Sequence, residues 1–234
     1  MEEIRKAAYV LKQEAGEEEL ELINRQSLRK LTEDEVFIFR VAACDNQVDR
    51  DYERFTENTL SGLAKLFVGR TIIMDHDWSA AKQTARIYAA DVERNGDIHQ
   101  LVLRAYMLRN DAAKASIEAI EGGILREVSV GCAVERSICS ICGAIQQEAR
   151  CTHYPGRVYD GQLCHMDLDC AIDAYEVSFV AVPAQPGAGV IKRYGSTPAA
   201  DSGPNKTVWA AAKARLELEK IRYGGKKNEQ TKAV

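Results

Sequence analysis

A histidine set between two acids, Asp75-His76-Asp77, and a serine set between two valines, Val128-Ser129-Val130-Gly131, are the residues of this chain whose types suit a base and a nucleophile. Each adjoins a run that reads as a buried strand, Thr71-Ile72-Ile73-Met74 ahead of the His and Ile124-Leu125-Arg126-Glu127-Val128 ahead of the Ser. A strand end holds a side chain rigidly while leaving its tip accessible, and both roles need that. A serine hydroxyl is a poor nucleophile at neutral pH unless a base lies within hydrogen-bond reach. An imidazole can take its proton and return it to a leaving amine. The same His-Asp turn could bind a metal, but ligands at successive positions of one turn point apart, and no H-x-E or H-x₃-H partner accompanies it.

A second group has different chemistry. Cys139-Ser140-Ile141-Cys142-Gly143 is a CxxCG knuckle, followed after eight residues by Cys151-Thr152-His153. Three thiolates and an imidazole suit tetrahedral zinc, and four protein ligands leave no open position for a reacting water. Cys139, Cys142, Cys151 and His153 are therefore expected to hold one structural zinc, with Cys164-His165 as the alternative second pair. A zinc-dependent hydrolase is disfavoured by that closed ligand set. Cys44 and Cys132 sit in apolar strand contexts and read as core residues. His99, in Asp97-Ile98-His99-Gln100-Leu101, reads as a solvent-facing strand residue.

These residues need elements to position them. Val36–Cys44 reads as a core strand, and Thr56 as the N-cap of a helix over 57–67, because Leu60, Leu63, Ala64 and Phe67 share one face. Thr84–Val92 and Ile98–Met107 alternate about Asn95-Gly96, a hairpin signal. Asn110–Ile120 has helical spacing and ends at Gly122-Gly123. Strand character returns over Ala174–Val182 and again over Val190–Tyr194. The order of strands and helices predicts an α+β fold with a mainly antiparallel β-barrel or sheet core and flanking helices. The expected organisation is a charged segment over 1–34, a principal domain over 35–194 with a cysteine-rich insert at about 137–170, and a linker with a charged helix or tail over 195–234, the helix at 208–223.

Composition narrows the function classes. The chain has 234 residues, 46% hydrophobic and 28% charged, with a net charge of -4, which gives no reason to expect nucleic acid as the main ligand. No apolar run approaches the roughly 20 residues needed to span a bilayer, so no membrane partner is expected. Seven cysteines and no secretory signal in the sequence point to a reducing compartment with metal-bound thiolates.

Three motifs in one order carry a resemblance. Ile73-Met74-Asp75-His76-Asp77, then Gly122-Gly123-Ile124-Leu125-Arg126-Glu127-Val128-Ser129-Val130-Gly131, then Glu176-Val177-Ser178-Phe179-Val180-Ala181-Val182-Pro183-Ala184-Gln185-Pro186-Gly187-Ala188 resemble the tailed-phage prohead (capsid maturation) serine proteases, which are related in fold to the herpesvirus assemblins. The resemblance covers about 36–194. It implies Ser129 as nucleophile, His76 as base and Glu176 as the third member, with Asp173 and Asp169 as rivals. The cysteine-rich insert departs from the family pattern. The implied activity is a serine endopeptidase inside assembling proheads in the host cytoplasm, cleaving scaffold or the N-terminal segment of the major capsid protein, with itself as a further substrate and self-association as a further expectation. The alternative is a catalytically silent assembly or scaffolding protein that keeps the fold and the zinc loop.

Overall fold

Residues 16–149 and 151–191 are described by a computed structural model of the chain. The expected linker and C-terminal helix, and residues 1–15 of the charged N-terminal segment, lie outside the described residues. In chain order the elements are α1 (Glu17–Asn24), β1 (Val36–Asp45), β2 (Glu53–Phe55), α2 (Glu57–Phe67), β3 (Thr71–Met74), β4 (Ala85–Asn95), β5 (Ile98–Leu108), α3 (Asp111–Glu121), β6 (Val128–Cys139), β7 (Val158–Tyr159), β8 (Gln162–Leu163), β9 (Met166–Phe179) and β10 (Gly189–Ile191). All of them belong to one compact unit, Ala8–Gly195. Among the described residues no helix is long and apolar enough to cross a membrane.

Local chemistry explains most of these elements. Thr56 caps α2, its hydroxyl accepting the Thr59 N–H at 3.2 Å. Leu60, Leu63 and Phe67 on one face of α2 are fully buried, each contributing roughly 1.5–3 kcal/mol by leaving water. The β4–β5 hairpin turns through Gly96-Asp97, where Gly96 takes φ 58°, the left-handed conformation a two-residue turn demands. Asn110 caps α3 by accepting the Ala113 N–H at 2.9 Å.

Eight strands form one sheet in the order β10-β1-β5-β4-β3-β9-β2, with β6 also paired to β9, and β7 and β8 form a separate two-stranded sheet. Most pairs are antiparallel, but β3 and β2 both run parallel to β9. The sheet is therefore mixed, and it does not close into the barrel that was one form of the expected core. The segment before β6 meets β10 only through the isolated bridge between Glu127 and Gly189. Packing at the end of α3 explains the gap. The N–H groups of Ile124 and Leu125 both bond to Ala119 O, at 2.7 and 3.1 Å, which ties this segment to the helix instead of to a strand. The strand expected over Ile124–Val128 thus begins only at Val128, and Ser129 stands at the start of β6 rather than at the end of a strand.

One core lies under α2 and includes Phe39, Ile87, Leu103, Val128, Val177 and Phe179. A smaller cluster joins Ile23 of α1 to Val36, Ile38 and Tyr88. Strands β6 and β9 pair along nearly their whole length, from Val128 opposite Phe179 to Cys139 opposite Met166. The cysteine-rich insert is the tip of this long hairpin. It is shorter than expected, because both strands extend into the range 137–170.

Candidate active site and metal centre

Strand β9 gathers the three residues expected to do chemistry. Its C-terminal half is flanked by β3 on one side and β6 on the other, with Thr71 of β3 and Gly131 of β6 both opposite Glu176. On the same ladders, Ile73 and Ser129 are both opposite Ser178. Side chains two apart on a strand share a face, so Ser129 and Gly131 lie on the face of Ser178 and Glu176. Val128, Val130, Val177 and Phe179 alternate onto the core side.

His76 follows β3 in a tight turn and reaches this face. Its Nδ1 lies 2.8 Å from Glu176 Oε1. The backbone holds it there: Asp75 N–H donates to Phe179 O at 3.0 Å, and Asp77 N–H to Met74 O at 3.0 Å. His76 N–H donates to Ser178 Oγ at 2.7 Å, and Ser178 is fully buried. Asp75 and His76 both have positive φ, 54° and 53°. Two successive non-glycine residues in this region cost about 1–2 kcal/mol each, the kind of local strain that clusters at functional sites.

Glu176 is only 3% exposed, while the His76 side chain is 42% exposed. A buried carboxylate and an open imbalance of exposure suit an orienting group behind a base that faces solvent. Room for that carboxylate comes from Gly131, where a Cβ would lie 2.5 Å from Glu176 Oε1. The glycine of Val128-Ser129-Val130-Gly131 is thus required by the Glu176–His76 contact. The rival acids are engaged elsewhere: Asp173 pairs with Arg70 at 2.8 Å, and Asp169 with Arg136 and with the Thr56 hydroxyl. His99 is not solvent-facing; it sits 3.0 Å from Glu57 Oε1 with its side chain 13% exposed.

The Ser–His arm is open. Among the described residues neither Ser129 Oγ nor His76 Nε2 makes a protein hydrogen bond. Trp78, two residues after His76, and Tyr175, the neighbour of Glu176 in sequence, pack with ring centroids 5.5 Å apart. Ser129 also borders a cleft of about 280 Å³ lined by Asp49, Asp51, Glu53, Phe55, Val130 and Cys132 among others. Burial is the main cause that raises the carboxyl pKa values of Asp49 and Glu53, and neighbouring acids add to it. The Cys132 thiol is pushed up to about 11, first by burial and then by Glu53 and Glu176.

At the far end of the β6–β9 hairpin, the ligand atoms of Cys139, Cys142, Cys151 and His153 all lie within 4.8 Å of one another, a cluster that could hold a metal ion. The local backbone is that of a knuckle. Gly143 takes φ 73°, its N–H donates to Cys139 O at 2.8 Å, and the Cys139 N–H donates to Ala144 O at 2.9 Å. The amide of Gln146 lies 3.4 Å from Cys151 Sγ and, with the His153 backbone, holds the Cys151 thiol down to about 6. His153 Nδ1 is buried with no hydrogen-bond partner among the described residues. Three sulfurs and an imidazole gathered this closely fit a soft or borderline cation. His165 does not join the cluster: its Nε2 lies 3.3 Å from Asp167 and its Nδ1 3.3 Å from Leu163 O.

Two residues of the site carry no functional signal in the chain itself. Ser178, which anchors the His76 turn, was legible only as part of a strand. The role of Gly131 needed the register of β6 against β9. No protein-family model, curated protein or solved structure matches the chain.

Proposed function

We propose that this chain is a serine endopeptidase of prohead maturation, with Ser129 as nucleophile, His76 as general base and acid, and Glu176 as the group that orients His76. The observation that carries the reading is the 2.8 Å contact between His76 Nδ1 and Glu176 Oε1, made on the sheet face that Ser129 shares. With Nδ1–H donated to the carboxylate, Nε2 carries the lone pair and can accept the Ser129 proton when a peptide carbonyl arrives. The serine oxygen then bonds to the carbonyl carbon, and the imidazolium returns its proton to the departing amine. Glu176, buried behind the ring, stabilises that imidazolium. The order of the three motifs supports the prohead assignment, with scaffold or the coat protein's N-terminal segment as substrates inside the assembling shell. Confinement there would raise local substrate concentration for a slow enzyme.

For the hairpin tip the ion that fits best is Zn²⁺ in a closed structural site, because the donors are soft and all come from the protein. It would supply folding free energy to a loop with a small apolar core, Cys139, Cys164 and Met166.

One observation favours the second reading, a silent assembly protein: the open Ser–His arm. Catalytic hydrogen bonds often close only with substrate bound, so the arm does not decide between them. A serine-directed covalent probe does. Labelling of Ser129 in the parent, its loss in Ser129→Ala, and cleavage of co-expressed coat protein by the parent alone support the protease. A folded parent that neither labels nor cleaves supports the silent protein.

A further inference from the structure

Five donors, not four, surround the hairpin tip. Cys164 is fully buried, and its Sγ lies 4.0 Å from Cys139 Sγ. Two thiolates on one tetrahedral zinc, each with a bond of about 2.3 Å, stand about 3.8 Å apart. The Cys139–Cys164 separation is therefore already close to that of two ligands on one ion. The ligand atoms of Cys139, Cys142, Cys151 and His153 lie within 4.8 Å of one another, so Cys139 is shared by both sets.

Cys164 is also held more firmly than the donors of the 151–153 loop. Its N–H donates to Arg157 O at 2.8 Å, and its carbonyl accepts the Gly156 N–H at 2.8 Å. It directly follows the β7–β8 hairpin, where Val158 pairs with Leu163. The next residue, His165, is tied back to the knuckle, its N–H donating to Ser140 Oγ at 2.9 Å and its carbonyl accepting the Ser140 N–H at 3.0 Å. A ligand positioned by backbone on both sides loses little freedom when a metal arrives.

We infer that the metal site is a four-thiolate site, Cys139, Cys142, Cys151 and Cys164, with His153 as a partner of the Cys151 sulfur and not as a ligand. The Cys151 sulfur lies 3.8 Å from the His153 carbonyl oxygen. The His153 ring is set edge-on to Tyr159, with centroids 4.6 Å apart, which fixes it beside that sulfur. Four thiolates leave two negative charges on a zinc site, and N–H donors to the sulfurs disperse them. One is in place: the Gln146 amide, 3.4 Å from Cys151 Sγ. His153 Nδ1, buried without a partner, is the competing donor. The inference rests on the metal-binding reading of this tip and is independent of the protease reading.

The test uses the full chain loaded with Co²⁺ or Zn²⁺. X-ray absorption of the zinc-loaded parent should give four sulfurs in the inner shell. In the cobalt-loaded protein, Cys164→Ser should lower the thiolate-to-cobalt charge-transfer absorption by one sulfur's share and weaken cobalt binding at least tenfold. His153→Ala should keep one equivalent of cobalt and the full charge-transfer intensity. An inner shell of three sulfurs and one nitrogen, or loss of the metal in His153→Ala alone, overturns the ligand assignment while leaving the metal site intact. A parent that binds neither ion overturns the assignment and the metal reading together. The absorption measurement on the parent stands even if Cys164→Ser fails to fold.

Discussion

Gly131→Ala separates the geometry of the candidate triad from its residue types. The added methyl would sit 2.5 Å from Glu176 Oε1, about 0.9 Å inside the 3.4 Å at which ordinary contact begins. Gly131 has an ordinary negative φ, so the substitution carries no backbone penalty and the clash is its whole effect. Two responses are open. Either the strands part, at the overpacking cost of about 1–3 kcal/mol, or the carboxylate swings away and gives up its charge-assisted bond to His76, worth about 1.5–3 kcal/mol. The cheaper route sets the loss of stability, which we expect at about 1–3 kcal/mol by urea denaturation. Activity should fall much further than stability. Without its carboxylate, His76 loses the partner that fixes its tautomer, and triads lose roughly 10⁴-fold in kcat when that group is neutralised. The variant Gly131→Ala/Glu176→Ala provides the control. Removing the carboxylate removes the clash, so the double variant should be more stable than additivity predicts and no less active than Glu176→Ala alone. Wild-type stability and cleavage rate in Gly131→Ala would refute the packing argument. Additive stability losses in the double variant would show that the methyl strikes something else.

Four further outcomes follow from the same geometry. His76→Ala should cost as much cleavage as Ser129→Ala, and the double variant no more than either, because groups acting as a unit fail together; additive losses in kcat/KM would disprove the pairing. Ser178→Ala leaves the His76 N–H without its buried acceptor, so kcat should fall with little change in KM, and Ser178→Thr should restore part of it; equal losses in Ala and Thr would mean simple packing damage. Cys139→Ser should lower the metal content found by elemental analysis and open residues 140–165 to proteolysis, while Ser129 still reacts with a serine probe; unchanged metal content and cleavage pattern would make these cysteines ordinary thiols. Burial raises the Glu53 pKa, so the folded state holds that proton more tightly than the unfolded chain, and this penalty on stability is absent below the ordinary carboxylate range and grows as pH rises through the raised value. Glu53→Gln should therefore be more stable than the parent at neutral pH, with the difference shrinking on acidification, and a pH-independent difference in denaturation midpoint would contradict it.

Much of the fold can be read from the chain because the signals are local. Thr56 and Asn110 cap the helices expected of them, and Asn95-Gly96 turns the expected hairpin, since a cap or a turn depends on residues within a few positions of each other. The CxxCG knuckle is of the same kind, its Gly143 taking the positive φ that the loop needs. The residue types of the candidate triad were also legible, but their meeting was not. His76 and Glu176 are separated by 100 positions, and only the parallel pairing of β3 with β9 and the antiparallel pairing of β6 with β9 put them on the face of Ser129. The parallel pairs that β9 makes with β2 and β3 also make the sheet mixed, although most of its pairs are antiparallel. Strand β6 starts only at Val128, because the N–H groups of Ile124 and Leu125 are spent on the end of α3. Strand pairing joins backbone groups that every residue carries, so the sequence marks which segments become strands but not which neighbour each one finds. That choice is made by the packing of the whole sheet, and with it the positions of Ser178 and Gly131 beside the candidate catalytic groups.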